Sequence, residues 1–201
     1  MNISDKYKCI FIHIPRAAGT SIKEALELPG RGHLPWQYYY VVYPEQWDLY
    51  IKFTVVRNPW DRVVSAYHYA KMEKSYWHDN LNRITPHPDY ELLSKRTFAE
   101  CCEILKNRRN MLKHESWHPQ HLWTAKTENG NNLLMVDFVL RYENLENDFA
   151  VLCERLGVSN INLPYVNKSN RNNYRQYYTQ ETKEIIEELY SIDIGLFKYE
   201  F

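Results

Sequence analysis

Residues 8–14, KCIFIHI, make a short β-rich run that Pro15 cuts off. The small, polar turn PRAAGTS then leads straight into an amphipathic stretch at 21–28. The same order, strand then sharp break then helix, returns at 51–57, IKFTVVR. That run is apolar enough to be covered on both faces and is ended by Asn58-Pro59. Asp61 is placed to cap a helix over 62–73. A third strong strand is expected at 133–142, LLMVDFVLRY. Helices are expected at 97–108, at 145–156 with Gly157 as C-cap, and at 180–191 behind Thr179. Residues 29–50 read as irregular, with a short helix near 44–49, and 75–95 as a long loop. Strands alternating with helices predict an α/β fold with a mainly parallel sheet, whose ligands bind at the carboxyl ends of the strands.

The chain of 201 residues is expected to form a single domain over 1–201, since hydrophobic residues make up 44% and a core needs no covalent staples. Lys+Arg and Asp+Glu are 25 each, so the basic footprint of a general nucleic-acid binder is missing. A local pocket for one small anion is still compatible with that balance. The start, MNISDKYKCIFIHIP, does not read as a signal peptide, and no apolar run reaches the roughly 18 residues of a membrane span. Cys9, Cys101, Cys102 and Cys153 form no C-x-x-C pair and are expected to be reduced, mostly buried thiols in a cytoplasmic protein.

Two segments carry chemistry. In the first, Arg16, Ala17, Ala18, Gly19, Thr20 and Ser21 combine small residues, which let a backbone approach an anion, with two hydroxyls and a fixed positive charge. It is not a Walker A loop: the opening Gly is missing and Thr20 stands where Lys should follow the last Gly. The plain alternative is an ordinary strand–helix turn. In the second, VVRNPWDRVVSAY, Arg57 ends a buried strand, where a guanidinium without a partner would be costly. Ser65 follows inside the next helix. Arg and Ser together suit a phosphate, as a two-pronged charged donor and a hydroxyl.

Taken together, these segments resemble the sulfotransferases that use 3′-phosphoadenosine 5′-phosphosulfate (PAPS), in particular bacterial carbohydrate sulfotransferases related to heparan sulfate 2-O-sulfotransferase. IPRAAGTSI is similar to that family's 5′-phosphosulfate loop, and VVRNPWDRVVSAY to its 3′-phosphate segment. DFVLRYENL at 137–145, LPYVNKS at 163–169 and DIGLFKY at 193–199 continue the resemblance in order along nearly the whole chain. The resemblance implies a P-loop-like three-layer fold and metal-independent transfer of a sulfuryl group to a hydroxyl, on a sugar or another hydroxylated acceptor. It gives Arg57 and Ser65 to the 3′-phosphate and Arg16 through Ser21 to the 5′-phosphosulfate, and it brings Lys168 and Ser169 to the nucleotide from the other side. One departure matters. The family usually has Lys where this chain has Arg16; Arg keeps the charge but does not readily give up a proton.

A hydroxyl acceptor must lose its proton as it attacks sulfur, and histidine is the natural base near neutral pH. Of the eight histidines, His33 lies in an irregular segment before the second strand, where the heparan 2-O relatives carry theirs. His118 is the secondary candidate, and His13 reads as structural. Trp36 and Tyr38 to Tyr40 suit either an aromatic wall for a sugar or plain packing. His114-Glu115-Ser116-Trp117-His118 spells H-E-x-x-H, but Pro119 pushes residue 118 out of the helical region, so both histidines cannot share one helix face. Two other functions compete with sulfuryl transfer. A P-loop nucleotide phosphotransferase would need magnesium and a Walker Lys. A catalytically silent nucleotide- or sugar-binding module would bind the donor without turning it over.

Overall fold

The computed structural model describes residues 1–30, 32–74, 84–107, 109–159, 161–164 and 172–201. In chain order its elements are β1 (Ile3–Ser4), β2 (Cys9–Ile12), α1 (Gly19–Ala25), α2 (Trp36–Val42), α3 (Pro44–Leu49), β3 (Ile51–Val56), α4 (Pro59–Ala70), α5 (Tyr90–Leu93) and α6 (Phe98–Asn107). They continue with α7 (His121–Thr124), β4 (Ala125–Glu128), β5 (Asn131–Leu134), β6 (Phe138–Arg141), α8 (Leu145–Arg155), α9 (Gln180–Leu189) and α10 (Ser191–Phe197). The chain divides into two compact units: Met1–Arg57 with Gln120–Asn170, and Asn58–Pro119 with Arg171–Phe201.

The first unit holds a four-stranded sheet in the order β1-β2-β3-β6. β2, β3 and β6 are mutually parallel, and β1 is an antiparallel edge. All of β2 and the last four residues of β3 are buried. Strands covered on both faces read as continuous apolar runs rather than as alternation, which is why 8–14 and 51–57 stand out in the sequence. α3 packs against β2 and α8 against β6. Phe11 lies opposite Phe53 in the ladder, and their rings stack with centroids 5.0 Å apart. Thr54 is the polar exception among the buried residues of β3, and its hydroxyl donates to the Ile12 carbonyl at 2.8 Å, so its burial leaves no donor unmade. The register aligns the carboxyl ends of the three parallel strands, so His13, Arg57 and Tyr142 follow them along one edge.

The expected strand over 133–142 is two strands instead. β5 pairs with β4 in a hairpin, and β6 joins the main sheet. Asp137 makes the break: its carboxylate accepts the Lys52 backbone N–H at 2.7 Å and pairs with the Lys52 ammonium at 2.9 Å. The hairpin turns at Asn129-Gly130, both at positive φ (51° and 77°), as tight hairpin turns require. Residues 29–50 hold two helices, α2 and α3, rather than one.

The second unit is helical around α4. That helix spans 59–70 rather than 62–73, and its cap is Asn58, not Asp61. The Asn58 side chain accepts the Trp60 N–H at 3.1 Å, and Pro59 occupies the first helical position, where its missing N–H costs nothing. Asp61 falls in the first turn. The core gathers Trp60, Val64, Tyr67, Cys102, Leu105, Trp117, Ile186 and Tyr190. Arg62 is fully buried in it; its guanidinium donates to the carbonyls of Ser116 and His118. α9 is capped by Thr179 as expected, in a reciprocal box with Thr182, and Gly157 follows α8 at φ 67°. All four cysteines are unbridged and buried; burial pushes the Cys9 and Cys102 thiols up to about 12.

Candidate active site

The turn between β2 and α1 is strained. Arg16 (φ 65°) and Ala18 (φ 55°, ψ 19°) both sit in the left-handed region without being glycine. Each such residue costs about 1–2 kcal/mol. Left-handed residues in a tight turn re-aim neighbouring peptide N–H groups into an anion-binding concavity. Ala17 and Ser21 are buried, Arg16 and Ala18 half-buried, and Thr20 exposed. At Gly19 a side chain is excluded by contact: a Cβ there would fall 1.8 Å from the His13 Nε2 and 2.0 Å from its Cδ2. The edge of the His13 ring thus rests directly on the loop.

Arg57 ends β3 and is 5% exposed. Its backbone is clamped by the side-chain amide of Gln120, which accepts the Arg57 N–H at 2.9 Å and donates to the Arg57 carbonyl at 2.8 Å. Its guanidinium carbon lies 3.8 Å from the centroid of the Tyr142 ring, and Nη1 donates to the Arg16 carbonyl at 3.1 Å. The two segments that the sequence singles out, 41 residues apart at this pair, therefore meet at this bond. Stacking covers the face of the guanidinium and leaves the in-plane donors to set its chemistry.

His33 precedes α2, and its carbonyl accepts the Trp123 indole N–H at 3.0 Å, which fixes the loop. Its ring lies 4.3 Å from that of His13, tilted by 57°. His13 is buried, and burial, with His33 and Lys23 as charged neighbours, holds its pKa well below the usual histidine range. The first unit thus brings together Arg16 to Ser21, Arg57 and His33. Ser65 is buried within α4, in the second unit. His118 is exposed, also in the second unit. Lys168 and Ser169 lie outside the described residues.

Of the aromatic residues beside His33, Trp36 donates its indole N–H to the Ala125 carbonyl at 3.1 Å and Tyr39 is fully buried, so both pack the unit. Tyr40 is 53% exposed. The H-E-x-x-H segment has no helix to display its histidines together. Glu115–Trp117 is one 3₁₀ turn, the His114 Nδ1 accepts the Ser116 N–H to cap it, and His118 is extended (φ −76°, ψ 146°) ahead of Pro119. Sequence reasoning gave no role to Gln120, which lies in the segment 117–120 similar to the family's, or to Tyr142, and it missed the contact of His13 with Gly19. Tyr142 falls in a recognised segment, but which ring stacks on a given arginine is set by β6 lying beside β3.

The sequence profile of the Sulfotransferase family matches residues 1–200. Among curated proteins, none matches at a significant level. Among solved structures, the chain is similar to mouse sulfotransferase SULT7A1 complexed with PAP, at 17% identity and a TM-score of 0.56, over 92% of this chain and 82% of that one. That likeness lies in the fold, an α/β architecture with a mainly parallel sheet. With the profile running over residues 1–200, this chain belongs to the sulfotransferase family.

Proposed function

We propose that this protein transfers a sulfuryl group from PAPS to a hydroxyl of a carbohydrate, leaving adenosine 3′,5′-bisphosphate. The observation that carries the reading is the bond from the Arg57 guanidinium to the Arg16 carbonyl, which draws a buried cation up to a strained small-residue loop. The whole chain acts as one sulfotransferase domain, and its buried, unbridged thiols suit a cytoplasmic location.

Arg57, held by Gln120 and Tyr142, offers a preset fork to the 3′-phosphate, and Ser65 contributes a hydroxyl on the strength of the sequence motif. The loop from Arg16 to Ser21 holds the 5′-phosphosulfate. His33 takes the acceptor proton as the new oxygen–sulfur bond forms and the bond from sulfur to the bridging phosphate oxygen breaks. Arg16 and the loop amides stabilise the negative charge that gathers on the departing phosphate. Arg16 acts there as a fixed charge rather than as a proton donor. Lys168 and Ser169 approach the nucleotide on the same motif-based footing. Most of the rate gain comes from positioning and preset charge.

The test is calorimetric titration of the full chain with adenosine 3′,5′-bisphosphate, with and without a chelator, beside the folded Arg57→Ala variant. Binding should survive chelation and weaken by roughly 10- to 150-fold in the variant, the range expected for a lost charged hydrogen bond. Unchanged affinity in Arg57→Ala, or binding only with magnesium, would refute the assignment. Labelled PAPS with a panel of methyl glycosides then tests transfer to a sugar hydroxyl.

A further inference from the structure

We infer that His13, outside the reacting centre, is the positioning residue for His33 and the physical link between that base and the phosphate loop. Three contacts meet on its ring. One edge, at Nε2 and Cδ2, rests on Gly19 so closely that no side chain fits between them. The ring packs against His33, with centroids 4.3 Å apart. On its own strand it stacks on Phe11 at 5.3 Å and 21°, and Phe11 in turn stacks on Phe53. His13 therefore continues a row of rings along one face of the sheet, and His33 packs against the end of that row.

The chemistry of the pair follows from what surrounds each ring. The His13 Nδ1 is buried and has no hydrogen-bond partner among the described residues. An imidazolium there would leave a charged N–H unpaired in a dry site, a far costlier state than a neutral ring with one unused lone pair. The charged groups that bear on His13 are His33 and Lys23, and both oppose a second positive charge. His13 thus stays neutral, and His33, half-buried at the loop, is the ring to which the proposed function gives the acceptor proton. Like charges this close cannot both form, so the neutral neighbour directs the proton to one imidazole. Because the other edge of His13 touches Gly19, whatever seats the phosphate loop also seats the base.

The inference deepens the proposed function and rests on His33 being the base. The experiment uses the full chain with ¹³C-labelled histidine, titrated by NMR from about pH 8 to about pH 5, with His13→Ala and His13→Phe variants. In the wild type, His33 should hold one side-chain rotamer, while His13 stays neutral across that range. In His13→Ala, the His33 rotamer should average and turnover of PAPS with methyl glycosides should fall on the order of 10- to 100-fold, with affinity for adenosine 3′,5′-bisphosphate kept within about twofold. His13→Phe, which restores a ring without a titrating group, should restore the rotamer and most of the turnover. Should His13→Ala fail to fold, His13→Asn, which is polar and has no ring, takes its place. A His33 ring that keeps its rotamer without a ring at position 13 would overturn the inference. His33→Ala tests the parent reading separately: full turnover in that variant removes the base assignment, whatever the His13 series shows.

Discussion

Substituting Gly19 by Ala sets two effects of opposite sign against each other. Gly19 opens α1, and Ala is favoured over Gly in a helix by up to about 1 kcal/mol. The added methyl would stand 1.8, 2.0 and 2.7 Å from three atoms of the His13 ring, whereas carbon and nitrogen atoms pack at roughly 3.5 Å. Ring or loop must therefore shift by about 1.5 Å, in a place where Phe11 and His33 already hold the ring. Overpacking of this kind costs about 1–3 kcal/mol, so the clash outweighs the propensity gain. At about 2–4 °C per kcal/mol for a chain of this size, Gly19→Ala should lower Tm by a few degrees. In a His13→Ala background the obstruction is gone, and the same substitution should be neutral or stabilising. Urea denaturation of the four proteins in the double-mutant cycle measures the coupling, expected at about 1–3 kcal/mol. The same sign of effect in both backgrounds would show that His13 does not rest on the loop.

Four further outcomes are expected. Tyr142→Leu, which removes the ring under Arg57 but no charge, should weaken binding of adenosine 3′,5′-bisphosphate by roughly 5- to 30-fold, about 1–2 kcal/mol for a desolvated cation–π contact, while Tyr142→Phe stays near wild type in the same titration. Arg16→Lys should retain or raise turnover with methyl glycosides and Arg16→Ala should lose most of it; normal turnover in the alanine variant would remove residue 16 from leaving-group stabilisation. Asn58→Ala deletes the α4 cap and should cost about 1 kcal/mol in urea denaturation, whereas Asp61→Ala should cost less. Because the native His13 titrates well below the unfolded value near 6.5, the unfolded chain binds the extra proton as pH falls through that value. Stability should therefore drop on the acid side, and His13→Phe should flatten the drop; parallel pH–stability curves for the two proteins would contradict a neutral His13.

The sequence exposes this fold where local chemistry decides structure. β2 and β3 are legible because strands buried on both faces need unbroken apolar runs, and α9 is legible because Thr179 caps it. It misleads where a tertiary partner decides. The run 133–142 looks like one strand until Asp137 is seen to bind the backbone of β3, a partner 85 residues away. Asn129-Gly130 is a turn signal sitting in plain view, yet it matters only because β4 and β5 pair. At α4 the error was local: Asn58-Pro59 is itself a cap followed by a first-position proline, and reading the pair only as a strand breaker shifted the helix by one turn. In the site, the sequence singles out Arg16 to Ser21 and Arg57, and the structure joins them through one hydrogen bond. The clamp from Gln120, the stack on Tyr142 and the seat of His13 on Gly19 were not legible, since each depends on which strand lies beside which.

The bond between Arg57 and Arg16 also means that the strand end and the β2–α1 turn are not independent of each other. The carbonyl that accepts from Arg57 belongs to a residue held at φ 65°, and the next residue but one is held at φ 55°. Two left-handed residues cost about 2–4 kcal/mol together. A charged hydrogen bond contributes about 1.5–3 kcal/mol, so Arg57 offsets much of the strain in the loop it touches. Under the proposed function, removing its side chain would then do two things: delete the fork meant for the 3′-phosphate and release the loop meant for the 5′ end. A lysine at the same position could keep the charge, but it could not stack flat on Tyr142 while donating in plane to Arg16. The arginine is thus required by shape as much as by charge. The strain at Arg16 and Ala18 persists because the strand end beside it supplies the compensating donor.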